Sequence, residues 1–537
     1  MAFKLQSYLQ VARGRPSTTR LAGLVVAVSL ANLSYLRVWE LLLHNPQSAY
    51  LTSVSYGRLD FVAALMGMLA LAVVIYALIN WVWHHGDRWH RAFAMVGVFI
   101  ILILPLDFVR RSGGASIEAM TGFSRIFVIV SFAVALFVLS LVFRQRFWAI
   151  AFWVLAILSP YALFNIGHSV VRIVALEETR PVPVISEPPS KAVGQEPRRL
   201  VWVIFDEWDQ TAIFKRRPPE VQLPVLDALV KESVTLSAAY APAKSTMVSV
   251  PSILQGRQLS GAFPTRDSGL QVQLPGATRW QNFMEGESIV TDVMAMSALT
   301  VAMGWYHPYN RILPQSPLVQ AKSYGFPAFE GIRGEGVART MLNQQAYIAL
   351  PIYGRMETRD LYLRLHEDAL QAMTNPAARF IFLHYGIPHS PGIYDARKRD
   401  LTVALSGDSE GYIGNLALVD RTIGDLLAAL DRSGLRSRTS LILTSDHWWR
   451  GAPWSKSDQG YPVPVIIQVG KGEQGIRAEE QFPTTNLRSI ARAILAGELD
   501  DNRKVAQAVA RHAVEGEIRY SKGVAEVRPT APESGKK

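Results

Sequence analysis

Cysteine is absent from this sequence of 537 residues, so no disulfide framework and no thiol nucleophile is available. Charged residues are also scarce, at 18% of the chain, whereas hydrophobic residues make up 49%. The length is too great for one ordinary domain, and the composition is more apolar than that of a soluble enzyme. The apolar excess lies almost wholly before residue 175, which predicts a membrane-embedded N-terminal part and a soluble remainder.

Long apolar runs in the first 173 residues match the roughly 20 residues that a helix needs to cross a bilayer. They predict a bundle of five transmembrane helices, at residues 21–43, 61–83, 92–106, 126–143 and 147–166. The first run contains Arg37 and Glu40, and the third is short and ends at Asp107, so each is expected to tilt or to rest on its neighbours. A cleaved signal peptide is the alternative for the first run, but four further runs follow it directly.

Basic residues concentrate on one side of the predicted spans, in the N-terminal arm, at Arg88 and Arg91, and at Arg144 and Arg146. The positive-inside rule assigns that side to the cytoplasm, so an odd number of spans places the soluble part on the opposite face. In a bacterium this predicts a multi-pass inner-membrane protein with a periplasmic domain. The net charge of +11 suits anionic lipid head groups better than nucleic acid, although a merely basic surface explains it equally well.

The remaining sequence predicts an α/β sandwich with a largely parallel sheet. A proline-rich linker, residues 174–199, is followed by β-branched and aromatic runs at residues 200–205, 380–383, 440–444 and 465–469, with helical patterns between them. In such sheets, ligands bind beyond the carboxyl ends of the strands. The domain is predicted over residues 200–519, and the polar tail 520–537 is predicted to be disordered.

Carboxylates stand at two of these strand ends. Asp206 and Glu207 follow the first run, where either a metal ligand or a plain helix cap is expected. Asp446 and His447 follow the run 440–444 and combine an oxygen with a nitrogen ligand, which suits zinc or manganese. A solvated aspartate beside a packed histidine is the alternative, but two such strand ends in one sheet favour a metal site.

Hydroxyl and imidazole groups occupy two further loops. Lys244, Ser245 and Thr246 open a short helix, where backbone N–H groups favour an anion and a metal-activated hydroxyl is a candidate nucleophile. Helix capping by either hydroxyl is the simpler reading of that loop alone. His384 and His389 lie in a loop rich in proline and glycine, where they are candidates for binding substrate oxygens, holding a metal or protonating a leaving group. Simple packing within the loop is the alternative.

In this order, the four sites resemble the alkaline phosphatase superfamily over about residues 198–500. Counted from Thr246, the sulfatase nucleophile motif is matched by Ser249 at plus three, Gly256 at plus ten and Arg257 at plus eleven, a register that selects Thr246 over Ser245. The sequence Thr246 to Pro251 resembles phosphoethanolamine transferases more closely. Five spans before the catalytic domain are also the layout of those transferases and of lipoteichoic acid synthases.

The resemblance implies a phospho-group transferase that uses one divalent metal ion, zinc or manganese. It assigns Asp206, Thr246, Asp446 and His447 to the metal, and it makes Thr246 the nucleophile. His389 would contact the transferred group or protonate the leaving group, and the remaining candidates are His384 and Lys244 for substrate binding and Glu207 as a reserve metal ligand. The donor would be a membrane lipid and the acceptor an anionic envelope glycolipid or glycan.

Two departures from the family patterns keep other functions open. Threonine cannot be converted to the formylglycine of sulfatases, which argues against sulfate ester hydrolysis by the usual route. Residues 448–464 contain no histidine, so a second metal ion at that position stays open. The alternatives are a hydrolase of the same fold, with water as the final acceptor, and a catalytically inactive sulfatase-like scaffold.

Overall fold

The computed structural model describes most of the chain in three stretches: residues 16–84 without 46 and 48, residues 144–176 with scattered helical positions from 131 to 142, and residues 198–528 without 220, 266–268, 351, 456–459 and 471–473. The chain divides into two compact units. The first comprises Met1–Ser48, Tyr56–Arg180 and Ala328–Gly354, and the second comprises Ala49–Ser55, Pro181–Pro327 and Arg355–Lys537.

The first unit is helical. Its N-terminal helices are Pro16–Ser34, Leu36–Trp39, the π-helix Glu40–His44, Arg58–His84 and Arg144–Ala175, and the three long ones pack on one another. The helix Gly336–Ala349, from a much later part of the sequence, packs along Arg58–His84. Gln345 there donates a hydrogen bond to the Tyr35 hydroxyl, and the Arg37 guanidinium lies 4.9 Å from the centre of the Tyr347 ring.

The predicted five-helix bundle is not confirmed. Among the described residues, two helices are long and apolar enough to cross a membrane, Arg58–Trp81 and Trp153–Ala175. A third span results if Arg20–Ser34 and Leu36–His44, which meet at a bend of 54°, are counted as one. The predicted spans 92–106 and 126–143 lie outside the described residues, apart from a few positions of the second. The described part of the chain therefore has two or three helices fit for membrane anchoring.

The second unit is an α/β domain with a nine-stranded sheet, in the order β13-β2-β12-β11-β1-β8-β6-β7 with β14 beside β2. These strands are β1 Arg199–Phe205, β2 Val234–Tyr240, β6 Leu299–Trp305, β7 Val319–Tyr324, β8 Ala378–Tyr385, β11 Thr439–Ser445, β12 Val463–Gln468, β13 Ile476–Ala478 and β14 Phe482–Pro483. Smaller sheets contain β3 Gly261–Pro264, β4 Leu270–Gln273, β5 Gln281–Asn282, β9 Tyr394–Asp395, β10 Asp400–Leu401, β15 Glu517–Ser521 and β16 Val524–Arg528.

The largely parallel sheet predicted from the sequence is confirmed. All pairs within the main sheet are parallel except those that β12 makes with β11 and β2. Strands β1 and β11 are buried along their whole length, because helices cover both faces of a parallel sheet. The principal helices after residue 198 are Pro224–Val230, Thr246–Gln255, Ile289–Ala295, Tyr353–Thr374, Asp408–Arg432, Leu487–Ala496 and Asn502–Arg511, with short helical segments at Thr211–Lys215, Tyr309–Ile312 and Pro327–Glu330.

The C-terminal boundary needs a correction. The sequence predicted a disordered tail from residue 520, but β15 and β16 form an antiparallel hairpin that ends at Arg528. The hairpin is held to the domain by hydrogen bonds from the Tyr520 hydroxyl to the Ala241 carbonyl, at 2.6 Å, and from the Lys244 amide to the Gly523 carbonyl, at 2.9 Å. The polar composition of this segment led to the wrong prediction. The contacts that hold the hairpin are mostly made by backbone groups, which side-chain composition does not reveal.

Candidate active site

Four neighbouring parallel strands deliver polar side chains to one edge of the sheet. Asp446 follows β11, Asp206 follows β1, His384 lies near the end of β8, and His307 follows β6. The register pairs Phe205 with Ser445 and Ile204 with His384, so these strand ends are level. The carboxyl ends of parallel strands meet at the same edge, and this topology brings the four residues together.

Asp206, His384 and Asp446 form a buried cluster whose ligand atoms all lie within 4.8 Å of one another. All three side chains are at most 1% exposed. Among the described residues, Asp206 Oδ1, Asp446 Oδ2 and His384 Nε2 have no hydrogen-bond partner. Burial, together with the nearby Asp446 and Glu207, raises the pKa of Asp206 well above its usual range. Two buried carboxylates and an imidazole, each with a lone pair that accepts no hydrogen bond, fit a divalent cation such as zinc or manganese.

The structure places His384 with the predicted metal ligands, whereas the sequence assigned it to substrate binding. Its Nδ1 lies 2.7 Å from the Tyr309 hydroxyl, which fixes the ring and leaves Nε2 facing the carboxylates. Burial lowers the pKa of His384 to about 3, so the ring is neutral. A neutral imidazole whose second nitrogen is hydrogen-bonded is the form in which histidine binds metals.

Thr246 is the first residue of the helix Thr246–Gln255, and its side chain faces the cluster. Its Oγ1 lies 3.4 Å from Asp206 Oδ2 and 3.3 Å from His447 Nε2. Ser245 occupies the N-cap position in an extended conformation, and no side-chain capping hydrogen bond is made. The capping alternative is therefore not what holds this loop, and the structure brings Thr246 rather than Ser245 to the carboxylates.

His447, which the sequence assigns to the metal, lies beside the cluster. Its Nε2 is 3.3 Å from Asp446 Oδ2 and 3.7 Å from Asp206 Oδ1. Its Nδ1 is 3.0 Å from the Trp448 carbonyl, which can only accept, so Nδ1 carries the proton and Nε2 presents a lone pair. Burial and the Arg450 charge lower the pKa of His447 to about 3, which keeps this ring neutral.

Two serines explain parts of the sequence motifs. Ser249, three residues after Thr246, donates a hydrogen bond of 2.5 Å to the Asp446 carbonyl and so ties the nucleophile helix to the end of β11. Ser445 lies with its hydroxyl 2.8 Å from the Phe205 carbonyl and accepts from the Trp208 amide at 2.9 Å. Both serines hold backbone around the cluster rather than offering a nucleophile.

His389 lies beside the cluster, half-buried. Its amide donates to the Asp206 carbonyl at 3.2 Å, and its ring stands edge-on to Trp305 with centroids 5.5 Å apart. Its Nδ1 is 2.6 Å from the Ser390 carbonyl, which leaves Nε2 for other partners. The buried Asn415, which the sequence analysis missed, fixes this loop: its Nδ2 contacts the carbonyls of Pro388, His389 and Pro391 at 3.2–3.3 Å. The sequence signal that could have revealed Asn415 is its position as a polar residue on the apolar face of a helix.

Two other predicted residues do not join their side chains to the cluster. Lys244 is exposed, and its backbone amide pairs with the C-terminal hairpin. Glu207, the reserve metal ligand, is instead paired with Arg450, whose Nε lies 2.7 Å from Glu207 Oε1. Arg450 was not identified from the sequence, although it lies four residues after Asp446 and raises the local positive charge around both aspartates.

Comparison with known proteins decides the family. The sulfatase family model matches residues 198–487, more than half of the chain. The chain belongs to the sulfatase family. This membership and the strand-end cluster agree with the resemblance stated from the motifs, at the level of the alkaline phosphatase and sulfatase superfamily. No curated protein matches the sequence of this sulfatase-family protein.

Solved structures resemble the sulfatase-family domain at low sequence identity. A PsFucS1 sulfatase from Pseudoalteromonas sp. is 16% identical, with a TM-score of 0.40, over 62% of this chain and 76% of its own. The phosphonate monoester hydrolase of Agrobacterium radiobacter is 14% identical, with a TM-score of 0.39, over 56% and 74%. A protein of the alkaline phosphatase superfamily from Vibrio parahaemolyticus is 14% identical, with a TM-score of 0.35, over 57% and 68%.

Proposed function

We propose that this sulfatase-family protein transfers a phospho-group, such as phosphoethanolamine or phosphoglycerol, from a membrane lipid through Thr246 to an anionic glycolipid or glycan of the cell envelope. The observation that carries the proposal is the position of Thr246 Oγ1, 3.4 Å from Asp206 Oδ2 and 3.3 Å from His447 Nε2. A threonine keeps its hydroxyl and cannot form the aldehyde of sulfatases, which favours phospho-group transfer over sulfate ester hydrolysis. Two helices fit for membrane anchoring agree with a lipid donor.

Asp206, Asp446 and His384 are the residues that would hold a divalent metal ion, with His447 and Thr246 beside them. A zinc or manganese ion bound there lowers the pKa of a hydroxyl that it contacts and neutralises charge on phosphate oxygens. The hydroxyl proton of Thr246 faces two acceptors, Asp206 Oδ2 and His447 Nε2, so its removal needs no rearrangement of side chains.

The reaction then proceeds in two halves on Thr246. In the first half, Oγ1 forms a bond to phosphorus, the bond from phosphorus to the lipid oxygen breaks, and the leaving oxygen takes a proton, for which His389 is the candidate donor. In the second half, an acceptor hydroxyl attacks the phosphorus, releases Oγ1 and gives up its proton to the site. Thr246 is regenerated, and no cofactor is consumed.

Product analysis tests this proposal. Purified full-length protein is incubated with a vesicle that contains a radiolabelled phosphodiester lipid and a lipid-linked glycan acceptor. We expect labelled acceptor, and we expect its formation to be lost in Thr246→Ala and retained in the neighbouring control Ser245→Ala. Undiminished turnover in Thr246→Ala would overturn the proposal.

A hydrolase of the same family is the second candidate, because family membership itself supports sulfo- or phospho-ester hydrolysis. It would use the same Thr246, with water in place of the acceptor hydroxyl. Release of free head-group phosphate at the same rate with and without the glycan acceptor would favour it. An inactive scaffold is disfavoured by the buried carboxylates without partners, and stoichiometric zinc or manganese in the purified protein would argue against it further.

A further inference from the structure

The short segment Ala49–Ser55 belongs to the second unit, which contains the candidate active site, although it lies in the sequence between the helices Glu40–His44 and Arg58–His84. Arg311 holds it through the Ser55 hydroxyl at 2.7 Å and the carbonyls of Tyr50 and Thr52 at 2.9 and 2.6 Å. The Phe326 amide adds a hydrogen bond of 2.7 Å to the Leu51 carbonyl. These contacts fix the backbone of the segment within the domain.

Tyr50 is the residue of this segment that reaches the active site. Its side chain is fully buried, and its hydroxyl lies 2.6 Å from His307 Nδ1, with the two rings edge to face at 5.9 Å. His307 is 1% exposed, and its Nε2 lies 3.0 Å from the backbone carbonyl of Thr246. A continuous chain of hydrogen bonds therefore runs from Tyr50 through His307 to the residue that carries the nucleophilic oxygen.

The partners of His307 determine where its proton resides. The Thr246 carbonyl can only accept a hydrogen bond, so Nε2 must carry a proton and donate it. The ring is buried, which disfavours its charged form, so Nδ1 of the neutral ring carries a lone pair and is an acceptor. The Tyr50 hydroxyl therefore donates to Nδ1. Without that donor the other tautomer becomes competitive, and in it Nε2 would face the carbonyl with a lone pair.

We propose that Tyr50 is a positioning residue for Thr246, acting through the tautomer and orientation of His307. This inference rests on the proposed function in that Thr246 is the nucleophile whose placement matters. It adds that a segment between two N-terminal helices completes the active site. A loss on the order of tenfold in kcat is expected when the hydroxyl is removed, by analogy with the lower end of the losses seen when hydrogen-bond partners of metal-binding histidines are removed.

The test compares Tyr50→Phe with Tyr56→Phe in the full-length protein. Tyr56 is a matched control, because it is also a buried tyrosine whose hydroxyl donates to a backbone carbonyl, that of Phe329, at 3.1 Å. We expect Tyr50→Phe to lower kcat about tenfold with little change in KM, and Tyr56→Phe to keep the wild-type kcat. In a His307→Gln background, Tyr50→Phe should cause no further loss. A full additional tenfold loss in that background, or an unchanged kcat in Tyr50→Phe, would overturn the inference.

A second readout does not depend on catalysis. In protein labelled with ¹⁵N-histidine, the His307 signals, assigned by their absence in His307→Gln, should show a neutral ring protonated at Nε2. Tyr50→Phe should shift the Nδ1 resonance and Tyr56→Phe should leave it unchanged. A His307 protonated at Nδ1 in the wild type would refute the inference whatever the activity. Failure of the proposed function would appear separately, as turnover that survives Thr246→Ala.

Discussion

Two regions of the second unit bury aspartates, and they differ in how many carboxylate oxygens are hydrogen-bonded. Asp420, on the helix Asp408–Arg432, accepts hydrogen bonds from the amides of Leu226 and Val225 at 2.8 and 3.3 Å. At the strand ends, Asp206 Oδ1 and Asp446 Oδ2 are buried without a hydrogen-bond partner in the described part of the chain. A carboxylate with both oxygens paired stabilises the fold, whereas neighbouring carboxylates that each keep one unpaired oxygen cost stability until a cation joins them.

The largest effect is expected from Asp206→Asn. Loss of one carboxylate of the cluster should remove bound metal and lower kcat/KM on the order of 10³-fold or more, because several kcal/mol of electrostatic stabilisation depend on it. The free energy of unfolding of the metal-free protein should stay the same or rise, since the change removes repulsion with Asp446. Metal content by mass spectrometry, steady-state kinetics and denaturant unfolding in chelator measure the three quantities.

A variant that keeps its metal and its rate would show that Asp206 is a structural carboxylate like Asp420. So would a metal-free variant that unfolds more easily than the metal-free wild type. Either result would remove the distinction between the two regions.

An intermediate effect is expected from Asn415→Ala. Asn415 connects three carbonyls of the His389 loop and also accepts from the Ile393 amide at 2.9 Å. Its loss should lower the free energy of unfolding by about 1–3 kcal/mol and kcat/KM by about tenfold, because the loop is no longer held beside Asp206. Metal content should remain that of the wild type, since Asn415 contacts no member of the cluster in the described contacts. Loss of metal in this variant would show that the loop also builds the cluster.

The smallest effect on activity is expected from Asp420→Asn, the matched counterpart of Asp206→Asn. An amide in place of the carboxylate turns one acceptor into a donor that faces the Leu226 and Val225 amides. The free energy of unfolding should fall by about 1–2 kcal/mol, while kcat/KM and metal content stay within about twofold of the wild type. Parallel unfolding curves and kinetics for the two variants display the contrast directly. An Asp420→Asn protein with the wild-type free energy of unfolding would show that the hydrogen bonds of Asp420 do not stabilise the fold.

The sequence predicted those features of the molecule that depend on local patterns. Buried strand runs and the residues directly after them located Asp206, Asp446 and His447, and the motif register located Thr246. Each of these signals is local, because a β-branched run or a fixed spacing is visible within about ten residues.

The parts that depend on distant segments could not be read in this way. Tyr50 and His307 lie 257 positions apart, and nothing local marks either as a partner of Thr246. The place of His384 among the carboxylates follows from strand order, because β8 pairs with β1 although the 172 residues 206–377 lie between these two strands in the sequence. Sheet topology, rather than local pattern, therefore determines which imidazole joins the two carboxylates.

The central claim is that Thr246 carries the transferred group, and a trapped adduct tests it most directly. Full-length protein is incubated with the lipid donor without acceptor, quenched in acid and digested with trypsin, which releases Thr246 in the peptide from Ser245 to Arg257. Fragmentation of that peptide should place a phospho-group adduct on Thr246, and Thr246→Ala should abolish it. An adduct on Ser245, Ser249 or Ser252, or turnover of the donor with no adduct on this peptide, would contradict the account.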